Sequence, residues 1–270
     1  MIKEGPASQM SFSVDEILKA DPATLSVLAL REAAALAAAA YSDTPPVVEG
    51  FKTIKFDSAN AQGFALVSPD TLFFVPRGTD SKFDILRDAD ARLIDDRWGK
   101  IHSGFHAQYL DNGRQIFNII RNSDPKTKIY WVSHSLGSAL SCLGIADVFR
   151  ELGRNVTGAI LFGTPKIGNK EYVKSWDAKF AARTWCVING SDGVPLGPRY
   201  FTMANVGRIV RINSANQIVL TPQTLSQRIR ERIVDRILHG SGGSAQAISD
   251  HLMVNTIASL NACCPHSKPL

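Results

Sequence analysis

Residues 129–144, IYWVSHSLGSALSCLG, constrain the fold more than any other stretch of this 270-residue chain. An apolar run that reads as a buried strand passes directly into a run of small residues that reads as a helix, with Ser133-His134-Ser135-Leu136-Gly137 at the junction. This is a GxSxG-type turn with Ser in the first Gly position. A strand that turns so sharply into a helix projects one hydroxyl, that of Ser135, alone above the sheet edge, and small flanking residues let the chain make the turn. The start of the helix also aims the Leu136 backbone N–H toward the place where an oxyanion would form. Ser135 is therefore the candidate nucleophile and Leu136 a candidate oxyanion donor.

The rest of the chain supplies the layers that such a turn needs. TGAILFG at 157–163 and RTWCVIN at 183–189 repeat the buried-strand signal, and helical patterns separate the three runs. Apolar strands alternating with helices predict crossover units, an α/β fold with a central, mostly parallel sheet flanked by helices. Upstream, FKTIKF, GFALVS and TLFFVP, broken by Asn, Gly, Pro and Asp, predict a small strand meander between Phe51 and Pro76. The Ala-rich run from Ala23 to Ala40 predicts a packing helix. Its central Arg31 and Glu32 exclude a membrane span, which needs about 20 nearly uncharged residues. A further helix is expected from Gly104 to Arg121. Thr221 and Pro222 open another, with Ile229, Ile233 and Ile237 on one face and Gly240 at its end, and a GSGGS loop at 240–244 leads to a last short helix from near Ser249. No break in composition divides the chain, so one domain over 1–270 with flexible tails is expected.

At 44% hydrophobic and 20% charged, the chain has the balance of a globular protein with a large core, which excludes disorder, collagen and coiled coil. Cys142, Cys186, Cys263 and Cys264 show no zinc-type spacing and read as reduced thiols. The opening MIKEGPASQM has no apolar run of signal-peptide length. The expected localisation is cytoplasmic, or export by a signal-peptide-independent route. A formal net charge of +5 suits peripheral contact with an anionic membrane surface, or simply a mildly basic enzyme. The one basic run, RIRERIVDR at 228–236, is interrupted by Glu231 and Asp235 and reads as a solvated helix face, so no nucleic-acid partner is expected.

A serine nucleophile needs a base and a carboxylate that orients the base. His239, His251 and His266 lie beyond Ser135. His266 sits near the C-terminus and His239 closes a charged helix, where a histidine complements the helix dipole. His251, after the Gly-rich loop, is the best-placed base. Asp192 follows the strand run at 183–189, at the strand end where α/β sites collect, although a turn in a Gly/Pro loop would also carry an Asp there.

Taken together these segments resemble the class 3 lipases, the family of fungal triacylglycerol lipases and plant phospholipases A1, across about residues 25 to 260. Arg77-Gly78-Thr79 with Ser81, Asp84 and Asp88 resembles the family's FRGT/S-x-S-x-x-D-W-x-x-D segment, and Ile101-His102-x-Gly104-Phe105 with Tyr109 resembles VHxGFxxxY. Ser133 to Ala139 stands for GHSLGGA, Phe162 to Asn169 for FGxPRVGN, Asn189-x-x-Asp192-x-Val194-Pro195 for NxxDxVP, and Asp250-His251-Leu252 for the final histidine segment. The resemblance implies an α/β-hydrolase fold and hydrolysis of lipid carboxylic esters, acylglycerol or phospholipid, with no metal or organic cofactor. Ser135 is then the nucleophile, His251 the base, Asp192 its orienting acid, and Thr79 an oxyanion donor beside Leu136. His102 and His134 match positions read as packing and hydrogen-bonding histidines. Ser133 and Ser138 replace family glycines; both are small, so the turn is expected to survive, with a slightly more crowded helix start. The lid position, 80–97, carries Asp80, Asp84, Asp88, Asp90, Asp95 and Asp96 with Lys82, Arg87, Arg92 and Arg97, very polar for a lipid-facing lid. The competing reading is a lipase-like interaction scaffold that has lost catalysis; such scaffolds lack triad members, and Ser135, Asp192 and His251 are all present.

Overall fold

The computed structural model describes residues 11–24, 26–57, 62–78, 92–196, 203–220 and 249–263. Thr79, most of the charged 80–97 segment, the helix expected over 221–239 with His239, the 240–244 loop, Cys264, His266 and the outermost residues of both tails lie outside these residues.

Strand β1 (Ser11–Phe12) and helix α1 (Asp15–Lys19) precede the Ala-rich helix α2 (Val27–Ala39), which Ser26 caps by accepting the Ala29 N–H. The two charges inside α2 have structural partners. The Glu32 carboxylate accepts the Glu16 and Ile17 N–H groups at the start of α1, and Arg31 donates to the Leu260, Asn261 and Cys263 carbonyls at the end of the last described helix. Each charge complements the helix end it touches.

After β2 (Val47–Val48), the expected meander appears as β3 (Lys52–Asp57), β4 (Gln62–Val67) and β5 (Thr71–Pro76). A hairpin, β6 (Leu93–Asp96) and β7 (Gly99–His102), leads into α3 (Ser103–Arg121). The three buried-strand runs form β8 (Lys128–His134), β9 (Gly158–Phe162) and, further on, β11 (Thr184–Asn189). Helix α4 (Leu136–Leu152) joins β8 to β9; β10 (Gly168–Asn169) and α5 (Lys170–Phe180) join β9 to β11. The chain continues through β12 (Met203–Ala204), β13 (Arg208–Ile212), β14 (Ile218–Val219) and α6 (Met253–Ala262).

The main sheet has the order β14-β13-β11-β9-β8-β5-β4-β3, parallel from β13 to β5 and antiparallel at both edges. Its central strands are apolar without interruption because both faces are covered. Along β8, Ile129 and Trp131 pack on one side with α3, α4 and α5, while Tyr130 and Val132 pack on the other with α1, α2 and α6. The alanines of α2 (Ala29, Ala33, Ala34, Ala37) let that helix lie close on the sheet. A second sheet, β12-β10-β7-β6, is antiparallel.

Two findings go beyond the sequence reading. Strand β13 carries Arg208 and Arg211, which mask its apolar pattern; in the fold Arg208 donates to the Pro22, Ala23 and Ala182 carbonyls and stacks over Trp185, and Arg211 donates to the Gly190 carbonyl. The charges at the described end of 80–97 are also partly structural. Asp96 accepts both bonds from Arg150 Nη1 at 2.8 Å in a nearly buried pair that ties the β6–β7 hairpin to α4, and Arg97 pairs with Glu151. Counting these residues as lid polarity therefore overstates it.

Asp177, at the end of α5, accepts the Gly207 N–H at 2.7 Å, but burial dominates and raises its carboxyl from the ordinary 3.8 to about 6. Its raised value means the folded chain holds this proton more tightly than the unfolded one, so the associated stability is present below pH 3.8 and lost as pH rises through about 6. Asp177→Asn keeps an acceptor for Gly207 without the buried charge. After allowance for the group's partial exposure, thermal melts should show it stabilised by about 1 kcal/mol, or about 2–4 °C, at pH 7.5 and by nothing at pH 4.

Candidate active site

The turn between β8 and α4 holds Ser135 at φ 58° and ψ −128°, and Asn216 is the one other described non-glycine residue with a positive φ. Such a backbone costs about 1–3 kcal/mol and persists only where its surroundings enforce it. Here the Ser135 N–H donates to the Phe162 carbonyl of β9, and a Cβ on Gly137 would lie 2.2 Å from the Pro76 carbonyl oxygen, so the end of β5 presses against the first turn of α4. The two serines that replace family glycines are hydrogen-bonded inside this start. Ser133 Oγ bonds Ser141 Oγ at 2.8 Å and Ser138 Oγ at 3.3 Å, and Ser138 donates to the Phe162 carbonyl at 3.1 Å, all without solvent exposure. Ser138→Ala should accordingly lower stability by about 1 kcal/mol, read as a fall in Tm of about 2–4 °C, because a buried hydroxyl pair loses one member.

Around Ser135 the fold brings together residues far apart in sequence. Ser135 Oγ lies 2.8 Å from His251 Nε2, and His251 Nδ1 lies 3.0 Å from both carboxylate oxygens of Asp192. With Nδ1 facing a carboxylate, the imidazole carries its proton there and leaves Nε2 to accept the Ser135 hydroxyl. Asp192 is buried at 5% exposure and accepts the Val194 N–H at 2.9 Å, which fixes the carboxylate independently of the histidine. Leu136, at the first position of α4, has a backbone N–H with no intrahelical acceptor, at the positive end of the helix. Gly163, after β9 at φ 55°, runs directly beneath the pair: a Cβ there would lie 2.8 Å from Asp192 Oδ2 and from His251 Cε1. Among the described residues no three His, Cys, Asp or Glu side chains gather in a cluster fit to hold a metal ion.

The other expected residues fall as follows. Thr79 lies outside the described residues. His102 caps α3, its Nδ1 accepting the Phe105 N–H at 3.3 Å, and stacks on the Phe105 ring, a packing role as expected. His134 is a hydrogen-bonded histidine, as expected, and one of its partners is the backbone of His251. Its Nε2 lies 2.7 Å from the His251 carbonyl oxygen, its Nδ1 2.8 Å from the Tyr41 hydroxyl, and its ring 4.5 Å from that of His251. Burial, with the neighbouring His251 adding to it, pushes its pKa down to about 3. Tyr41 carries no sequence signal, since it closes the Ala-rich run as an ordinary aromatic. Cys142, Cys186 and Cys263 are buried thiols.

Residues 73–201 match the family model described as Lipase (class 3). Over this segment the chain is similar to the class 3 lipases. The segment contains Ser135 and Asp192, while His251 lies C-terminal to it. A secreted mono- and diacylglycerol lipase of Malassezia globosa is 30% identical over 102 residues, 37% of this chain and 34% of that protein. One of Malassezia restricta is 27% identical over 129 residues, 43% of each. The chain thus spans less than half the length of these curated relatives. The crystal structure of a lipase from Rhizopus microsporus var. chinensis superposes with a TM-score of 0.65 at 21% identity, covering 84% of this chain and 93% of that one, and shows the shared α/β-hydrolase fold. The names of the relatives also correct one expectation. They are secreted lipases, which points to export by the usual secretory route and overturns both the cytoplasmic placement and the signal-peptide-independent route. Cys142 and Cys186 are free thiols buried in the core, where they say nothing of compartment.

Proposed function

We propose that the protein is a serine hydrolase that cleaves carboxylic esters of lipids through an acyl-serine intermediate, with mono- and diacylglycerols as the first substrates to test. The observation that carries this reading is the hydrogen-bonded line Ser135–His251–Asp192 on a strained turn. Ser135 Oγ attacks the ester carbonyl carbon as His251 Nε2 takes its proton, and the carbonyl oxygen becomes an oxyanion against the Leu136 N–H. Collapse of the tetrahedral species breaks the C–O bond, and His251 returns the proton to the departing alcohol. Water, deprotonated by the same nitrogen, then attacks the acyl-serine, releases the fatty acid and restores Ser135. Asp192 keeps the His251 tautomer and stabilises the imidazolium in both halves. Thr79 is proposed as the second oxyanion donor on the strength of the RGT motif alone. The net charge of +5 supports peripheral contact with an anionic lipid surface. The intact line of three residues weighs against a scaffold that has lost catalysis.

The test is labelling with a serine-directed phosphonate, followed by peptide mapping, alongside hydrolysis of monoacylglycerol. The expected adduct is at Ser135, and none should form in Ser135→Ala. An adduct at another serine, with ester hydrolysis retained, would overturn the assignment.

A further inference from the structure

The segment that delivers His251 is held by contacts that the proposed reaction does not use. Residues 249–251 form a helical turn that breaks at Leu252, the N-cap of α6, so the carbonyls of Asp250 and His251 stand outside the hydrogen-bond ladder of that helix. Both carbonyls are nevertheless partnered, and by side chains from strand ends. Asn189 Nδ2 donates to the Asp250 carbonyl at 3.1 Å, and His134 Nε2 donates to the His251 carbonyl at 2.7 Å. Asn189 is the last residue of β11, where the loop carrying Asp192 begins; His134 is the last residue of β8, bonded covalently to Ser135.

We propose that His134 and Asn189 are positioning residues that register the backbone of His251 against the nucleophile and the acid at once. The inference rests on the serine-hydrolase reading and deepens it. Because each donor is rigidly joined to one of the two groups His251 must meet, a shift of the histidine segment relative to either strand breaks a buried hydrogen bond. The Tyr41 hydroxyl completes the device by donating to His134 Nδ1, which forces the other ring proton onto Nε2, the donor that the His251 carbonyl requires. The Asp250 carboxylate accepts the Ser191 N–H at 2.7 Å, so the contact with the acid loop is reciprocal, side chain to backbone in each direction. Deep burial keeps His134 neutral. No second positive charge then faces the imidazolium that forms on His251, 4.5 Å away between ring centres.

The experiment has two arms. Nitrogen NMR on the wild-type protein should find His134 as the neutral Nε2–H tautomer throughout pH 5 to 8; the Nδ1–H tautomer, or titration within that range, would overturn the proposal, since neither state fits a fixed Nε2–H donor with Nδ1 accepting. In the second arm, His134→Leu and Asn189→Leu should each lower kcat about 10- to 100-fold per phosphonate-titrated site, the scale expected when a reacting group is misplaced by a fraction of an ångström to 1 Å, with KM for a soluble ester unchanged within about twofold. His134→Gln, which keeps an N–H donor, should recover most of the loss. A purely structural role would lower stability and the titratable fraction but leave kcat per site intact, and that result would overturn the proposal. Should a leucine variant fail to fold, Tyr41→Phe, which removes only the hydroxyl that fixes the tautomer, replaces it and must lower kcat per site. Wild-type protein that neither labels nor hydrolyses esters would instead bring down the enzymatic reading and this inference with it.

Discussion

Ser135→Ala is expected to lower kcat for a soluble short-chain ester by about 10⁵- to 10⁶-fold, with the fold and KM little changed. The side chain is small, and its hydroxyl bonds His251 Nε2 at 2.8 Å, so its removal costs the reaction its nucleophile and the structure one hydrogen bond. His251→Ala should fall nearly as far, because nucleophile and base act as a unit and the double variant should be no worse than either single one. Asp192→Asn should lose less, about 10⁴-fold, because the imidazole survives but its Nδ1 partner becomes an amide that no longer fixes the tautomer or stabilises the imidazolium. Steady-state kinetics with active-site titration check all three. Ser135→Ala retaining more than about one part in a thousand of wild-type kcat, beyond what the remaining oxyanion donors supply, would remove Ser135 from the proposed role.

The parts of this site that are legible in the sequence are those whose chemistry forces a local pattern. A serine on a strand-to-helix turn needs a β run, small residues and a helix in immediate succession, and residues 129–144 show all three. Buried parallel strands need unbroken apolar runs, so the runs expected for β8, β9 and β11 lie within about a residue of their observed ends. Strand β13 escapes because Arg208 and Arg211 serve long-range carbonyls, and no local pattern announces such a partner. Tyr41 and the positioning contacts of His134 and Asn189 escape for the same reason. Their meaning lies in atoms 61 to 117 residues away, which only the closed fold brings within reach. The serines at 133 and 138 are small enough for the turn to form, but size alone does not announce that their hydroxyls bond one another and a strand carbonyl.

Gly163→Ala is expected to lower kcat about 100-fold with only a modest loss of stability. Two effects separate cleanly at this position. The first is backbone strain: Gly163 has φ 55°, and a Cβ in the left-handed region costs about 1–2 kcal/mol. The second is contact. The added carbon would sit 2.8 Å from Asp192 Oδ2, 2.8 Å from His251 Cε1 and 2.9 Å from His251 Nδ1, all closer than non-bonded atoms tolerate. Asp192 is fixed by the Val194 N–H and by burial, so the imidazole has to give way, and it does so across the line that joins it to Ser135. A displacement on the order of 1 Å at a reacting group costs about 100-fold in rate. Gly153 supplies the control, since it closes α4 at φ 64° and a Cβ added there would meet nothing within 4 Å. Gly153→Ala carries the strain without the contact, so its Tm should fall by a few degrees while kcat stays within about twofold of wild type. Phosphonate labelling should slow in Gly163→Ala in step with kcat and stay unchanged in Gly153→Ala. Equal kinetics in the two variants would mean that the space beside Asp192 and His251 is not needed for turnover, and that the glycine after β9 serves the chain reversal alone.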